Sequence, residues 1–191
     1  MNIAVWGPTS AGKTVLLARL YSVMEREQDQ WKVMPSEASA EFIGGINKFI
    51  DEKNRFPPPT DVQSGETEVV YEFVGPEGAR HIVRLEDRAG DHYEKMDAAL
   101  VAQLAAADAL VLMFDATDSP AHLRRHVDHA LTKLYLARND GKADSRPVAI
   151  CLSKSDEIIN SVVDLEHART HPNLFVENYI RGREPDLLRL V

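Results

Sequence analysis

Lys13 and Thr14 close the run Gly7-Pro8-Thr9-Ser10-Ala11-Gly12-Lys13-Thr14, where a cation and a hydroxyl follow a loop bounded by glycines. Gly7 and Gly12 permit a tight turn and a close backbone approach, so successive N–H groups can line an anion-sized hollow at the start of the next helix. Lys13 adds a point charge able to reach β- and γ-phosphates, and Thr14 offers a hydroxyl to Mg²⁺. The candidate phosphate-binding residues are therefore Gly7, Thr9, Ser10, Ala11, Gly12, Lys13, Thr14 and Val15. G-x-x-x-x-G-K-[ST] arises by chance far less often than a lone glycine motif. The flanks agree with it, since the apolar run Asn2-Ile3-Ala4-Val5-Trp6 precedes it and Val15 to Tyr21 continues as a helix. The competing reading is an ordinary Gly-rich turn between a strand and a helix.

Three more groups lie after an expected strand, or in the loop before one, which brings them to the edge where phosphates bind. Asp87 follows Ile82 to Glu86 and is placed to hold Mg²⁺ through a water, while the Gly90 N–H can bond a terminal phosphate. The alternative for Asp87 to Gly90 is a simple turn. In Ser153-Lys154-Ser155-Asp156 the lysine stem can lie across a purine ring, and Asp156 can accept hydrogen bonds from N1–H and the N2 amino group of guanine. Adenine offers neither donor in that arrangement, so Asp156 is a specificity device. The alternative is a solvated loop with Ser155 or Asp156 capping the next helix. Thr60 can complete a Mg²⁺ shell when a γ-phosphate is present, and loss of that bond would release the preceding loop. An exposed threonine after prolines is the competing meaning.

The elements that must position these groups are legible in the apolar pattern. After a helix to about Gln28, Trp31 to Met34 can form a short strand, and Ser36 can cap an amphipathic helix whose apolar residues Phe42, Ile43, Ile46, Phe49 and Ile50 recur at helical spacing. Gly44-Gly45 interrupts that helix, and Phe56-Pro57-Pro58-Pro59-Thr60 cannot continue it. Strands over Glu66 to Val74 and Arg80 to Glu86 flank Gly75-Pro76-Glu77-Gly78, a hairpin turn. Tyr93 to Ala107 reads as a helix. The unbroken apolar run Ala109 to Phe114 reads as a central parallel strand, and Ser119-Pro120 opens a helix with Leu123, Val127, Leu131 and Leu134 on one stripe. Pro147 to Leu152 is the last clear strand. The expected fold is a three-layer α/β P-loop NTPase fold, its sheet mostly parallel with one antiparallel edge strand and its ligand at the carboxyl ends of the strands. All 191 residues fit one domain, with a helical insertion at about 29–59 before Thr60.

Composition narrows the partners. A net charge of −8 argues against a nucleic-acid surface. The lone Cys151, within an apolar run, fits an inert buried thiol in a reducing cytoplasm. The phosphate loop starts too near Met1 to leave room for a signal peptide, and neither a lipidation signal nor a membrane span is expected.

The ordered set Gly7 to Thr14, Thr60, Asp87 to Gly90 and Ser153 to Asp156 resembles the Ras-like GTPases of the translation-factor-related class. The segment ending in Phe56-Pro57-Pro58-Pro59-Thr60 is more similar to bacterial double-GTPase relatives than to eukaryotic Ras proteins. The resemblance implies a GTP/GDP switch with slow hydrolysis, in-line attack by water on the γ-phosphate, Mg²⁺ as cofactor and a protein effector or activating partner. Lys13, Thr60, Gly90 and Asp91 are then the catalytic candidates, and Thr14, Thr60 and Asp87 the Mg²⁺ ligands. Several positions depart from the family. Asp91 stands where efficient members have Gln or His to orient the water, and a carboxylate facing a triphosphate is repelled, so weak turnover is expected. Thr9 replaces a common Gly, and Ser153 replaces the Asn or Thr that braces the phosphate loop. The family's last strand, with its Ala backbone contact to guanine, has no counterpart before Val191.

Other groups carry weaker readings. His122, His126 and His129 share a helix face and read as a solvent stripe in preference to a metal site. Arg55 and Arg88 are possible charge-neutralising groups, with a surface role the commoner meaning. Phe42, Ile46 and Phe49 can form a partner ridge, with packing on the sheet as the default. A small P-loop kinase with its acceptor near Arg55 to Asp61, or a module that binds nucleotide without turnover, are the alternative functions. The kinase would need a cluster of lid arginines, and none is present in the sequence.

Overall fold

A computed structural model describes residues 1–26, 31–57, 67–87, 98–125, 128, 132 and 145–183. Six strands form one sheet in the order β2-β3-β4-β1-β5-β6. They are β1 (Asn2–Trp6), β2 (Lys32–Pro35), β3 (Thr67–Val74), β4 (Arg80–Asp87), β5 (Ala109–Asp115) and β6 (Val148–Ser153). β4, β1, β5 and β6 run parallel, and β3 alone runs against its neighbours. The expected mostly parallel α/β sheet is therefore present, with the short β2 pairing outside the antiparallel strand and forming the edge.

The local reasons follow the apolar pattern. β5 is buried along most of its length because β1 and β6 flank it and helices cover both faces. Between β3 and β4 the turn is closed by Gly78 N–H to the Gly75 carbonyl at 2.9 Å, with Gly78 at φ +79°. A side chain is disfavoured there, which explains the glycine.

Helix α1 (Lys13–Arg26) lies on one face with α2 (Glu37–Lys53) beside it. Leu17, Ile43, Val69, Tyr71, Leu85 and Met113 form the core there. On the other face α3 (Ala98–Ala106), a helical segment over 120–125 and a later helix cover Trp6, Leu104, Leu112, Phe114, Leu123 and Ile180. Each fully buried large apolar side chain contributes roughly 1.5–3 kcal/mol, so these two clusters hold the layers together. His122 N–H donates to Ser119 Oγ at 3.2 Å, the cap expected for the 120–125 segment.

α2 runs unbroken through Gly44-Gly45, both of which face open space. Its start is anchored from two sides. Ser36 Oγ accepts from Ser39 N–H at 3.3 Å, and Ser39 Oγ accepts from Val70 N–H of β3 at 2.8 Å. Further along, Asn47 Nδ2 donates to the Ala18 carbonyl at 3.1 Å and Arg19 pairs with Asp51 at 2.7 Å. These tertiary contacts offset the roughly 1 kcal/mol that each interior glycine costs a helix. The helix ends at Asn54, in the left-handed region at φ 48°, before the prolines are reached. Phe42 packs against the core, as the default reading required.

After β6 come a 3₁₀ turn (Ser155–Glu157), α4 (Val162–Thr170) and α5 (Pro172–Arg183). Among the described residues no helix is long and apolar enough to cross a membrane.

Candidate functional site

The register of the parallel strands builds the site. Trp6 pairs with Leu112, so the chain leaves β1 while β5 continues for three residues to Asp115 and carries Met113 under the turn. Gly7 sits against it: a Cβ at this position would lie 3.0 Å from both Cβ and the carbonyl oxygen of Met113 and 3.2 Å from Ala11 Cβ. Ser10 at φ 65° and Gly12 at φ 82° turn the backbone left-handed, the alternation that makes successive N–H groups converge on an anion. Such a φ costs a serine of order 1–3 kcal/mol, strain of the kind that collects at ligand-binding loops.

Lys13 is only 5% exposed. Its Nζ donates to the Gly7 and Pro8 carbonyls at 2.8 and 2.9 Å. A buried ammonium is costly unless bonded, and the loop's own carbonyls supply that bonding. Thr9 Oγ1 is buried with no hydrogen-bond partner among the described residues, a polar atom that a bound anion or its water would satisfy.

The second half of the site is the end of β6. Ser153 Oγ donates to the Phe114 carbonyl at 3.0 Å and so braces β5, not the phosphate loop. Lys154 is left-handed at φ 52°, and its ammonium pairs with Asp115. The Asp115 carboxylate also accepts from Thr117 N–H at 2.8 Å and Thr117 Oγ1 at 2.6 Å. Burial pushes that carboxyl up, but the bonds from Lys154 and Thr117 outweigh it and hold it below the usual range. Asp156, in the 3₁₀ turn, is exposed and makes no hydrogen bond among the described residues. Cys151 is half-buried, and burial pushes its thiol up, away from the reactive thiolate.

A cleft of about 870 Å³ joins the two halves. Thr9, Ser10, Gly12, Lys13, Thr14 and Val15 line one side, and Ser153, Lys154 and Asp156 another. Gly7 and Ala11 lie beneath the loop, with Ala11 fully buried. Asp87 is the last residue of β4, the strand next to β1 in the sheet. Thr60, Gly90, Asp91, Arg88, His126 and His129 fall outside the described residues.

Residues 1–177 match the family model described as Double-GTPase 2. The chain belongs to the Double-GTPase 2 family. No curated protein matches the sequence. Membership makes it a GTPase-related P-loop protein, and the match runs from β1 into α5, across every part of the cleft.

In this Double-GTPase 2 member, no three His, Cys, Asp or Glu side chains among the described residues form a ready-made metal cluster. His122 instead pairs with Asp118 at 2.9 Å. Thr14, which lines the cleft, is an oxygen donor of the kind Mg²⁺ takes beside substrate phosphates. Sequence reasoning missed Asp115, and it missed Pro57, Pro172, Asn173 and Val176 in the cleft wall. Asp115 had a usable signal, since it ends an apolar strand at the ligand edge; the others sit in no local motif.

Gly7→Ala is expected to destabilise the fold by about 1–3 kcal/mol, because the new methyl meets backbone as well as side chain and the β5 carbonyl cannot move aside without breaking the sheet. Thermal melts check this. An unchanged melting temperature would show that the loop and β5 can separate at no cost.

Proposed function

We propose that this chain is a GTP-binding molecular switch that slowly hydrolyses GTP to GDP and phosphate, a Ras-like member of the translation-factor-related P-loop class. The observation that supports this most is that the phosphate loop and the Lys154 to Asp156 turn open into one cleft. A nucleoside triphosphate needs anion donors at one end and a platform with an acceptor at the other. The N–H groups from Thr9 to Val15 and the Lys13 ammonium hold the phosphates. The Lys154 stem lies along the purine, and Asp156 accepts from N1–H and the N2 amino group. Thr14, Thr60 and, through a water, Asp87 would hold Mg²⁺, which would neutralise charge on the β- and γ-phosphates.

Hydrolysis is an in-line attack by water on the γ-phosphorus, with cleavage of its bond to the β–γ bridging oxygen. Gly90 N–H bonds the terminal phosphate, and Thr60 loses its contact when that phosphate leaves, which frees the preceding loop. Asp91 occupies the water-orienting position, and its charge opposes that of the triphosphate, so unaided turnover is slow. Residues 1–191 act as one GTPase domain with a helical insertion at about 29–59. It works in the cytoplasm with a protein effector or activating partner, without nucleic acid.

Titration of GTP, GDP and ATP, followed by phosphate release with and without an acceptor, tests the reading. Guanine nucleotides should bind in preference to ATP, and GTP should turn over at less than about one per second unaided. ATP preference with transfer to an acceptor would favour a small kinase, and tight GTP binding without release would favour a static module. Faster unaided turnover would remove the proposed handicap at Asp91.

A further inference from the structure

Beyond β6, the cleft is lined on its Lys154 and Asp156 side by the start of helix α5. The helix's first two residues, Pro172 and Asn173, and Val176 one turn on, line the same cleft as Lys154 and Asp156. Proline at the first helical position has no N–H to offer, so the first polar side chain that α5 presents to the cleft is the Asn173 carboxamide. It is exposed and makes no hydrogen bond among the described residues.

The helix packs on α4 at its start and is tied to the turn after β5 near its end. At its start Phe175 N–H donates to the His171 carbonyl at 3.0 Å, and the Phe175 ring packs edge-on against His167 of α4. Near its end Tyr179 Oη donates to the Ala116 carbonyl, and Arg183 donates to the Ala116 and Asp118 carbonyls at 3.3 and 3.2 Å. The Arg183 guanidinium also stacks 4.7 Å from the centre of the Tyr179 ring. That turn begins at Asp115, the partner of Lys154, so α5 and the purine platform are fastened to the same short segment.

We propose that α5 is the second wall of the base subsite and that the Asn173 carboxamide donates from Nδ2 to the O6/N7 edge of guanine, across the ring from Asp156. The proposal rests on the GTP reading above. The chemistry is complementary: Asp156 takes the two donors of the N1/N2 edge, and the opposite edge carries only acceptors, which require a donor. Tyr179 and Arg183 are positioning residues in this scheme, because they fix the helix and touch no base.

GDP, ADP and inorganic tripolyphosphate, titrated against the whole chain and against Asn173→Ala and Asn173→Asp, test it. Asn173→Ala should weaken GDP about 5- to 10-fold, the loss of one hydrogen bond to a neutral partner. Asn173→Asp should weaken it further, since a carboxylate meets O6 and N7 lone pairs, while ADP holds or tightens because its N6 amino group can donate. Tripolyphosphate affinity should stay within about twofold. GDP binding and guanine preference unchanged in both variants would overturn the proposal and leave the GTP reading standing. An equal loss for all three ligands would also overturn it, because it would mark a disturbed helix and not a base contact. A wild-type chain that binds no guanine nucleotide, or prefers ADP, would overturn both.

Discussion

Lys13→Ala is expected to weaken GTP binding by at least about 100-fold and to abolish measurable hydrolysis. The ammonium is the one side-chain cation in the phosphate loop, and charge-assisted hydrogen bonds to phosphate contribute about 1.5–3 kcal/mol each. Two such bonds, to the β- and γ-phosphates, already amount to two decades or more in affinity. A further loss follows from the geometry. Lys13 is 5% exposed and its Nζ bridges the Gly7 and Pro8 carbonyls at 2.8 and 2.9 Å, so alanine also removes the tie that keeps the loop's entry closed. GDP should suffer less than GTP because it lacks the γ-phosphate contact. Calorimetric titration of both nucleotides, with thermal melts of the empty variant, separates the lost charge from a loosened loop. Binding of GTP by Lys13→Ala within threefold of wild type would remove Lys13 from the triphosphate site.

Asp156→Asn should lower GTP affinity by about 100- to 1,000-fold and make xanthosine triphosphate the better ligand. The reasoning is a donor and acceptor count. Guanine presents N1–H and an N2 amino group, both donors, and a carboxylate accepts both. An asparagine amide offers an acceptor oxygen on one side and an NH₂ donor on the other, so it leaves one of the base donors unpaired and opposes it with N–H. Xanthine carries an oxygen at position 2 and accepts that N–H. Asp156 is exposed and makes no hydrogen bond among the described residues, so the substitution should not move the melting temperature. Competition between the two triphosphates reads the result directly. Unchanged selectivity would take Asp156 out of the base subsite.

Much of the architecture was legible because its signals are local. An apolar run ended by glycine, as at Asn2 to Gly7, or by Asp115 after Phe114, commits a short stretch of backbone whatever lies elsewhere. Ser36 and Ser119 marked helix starts for the same reason, since a cap bonds a backbone N–H three residues on. The glycine pair in α2 was harder to weigh, because its cost is set locally and its compensation by Val70, Ala18 and Arg19 comes from other elements. Ser153 is instructive in another way. It stands at the family position that braces the phosphate loop, and its hydroxyl instead bonds a strand 39 residues away, a choice made by the β5–β6 register.

The phosphate loop could be read without coordinates because its chemistry is contiguous: the turn, the charge and the hydroxyl lie within eight consecutive residues, and short-range sterics dictate the path between them. The cleft as a whole could not. The packing of Gly7 on Met113, the pairing of Lys154 with Asp115 and the meeting of α5 with the phosphate loop across one cleft join residues far apart in the chain. Such contacts exist only once strand order and register are set, because burial of the two apolar faces of the sheet, and no nearest-neighbour preference, decides which distant segments meet.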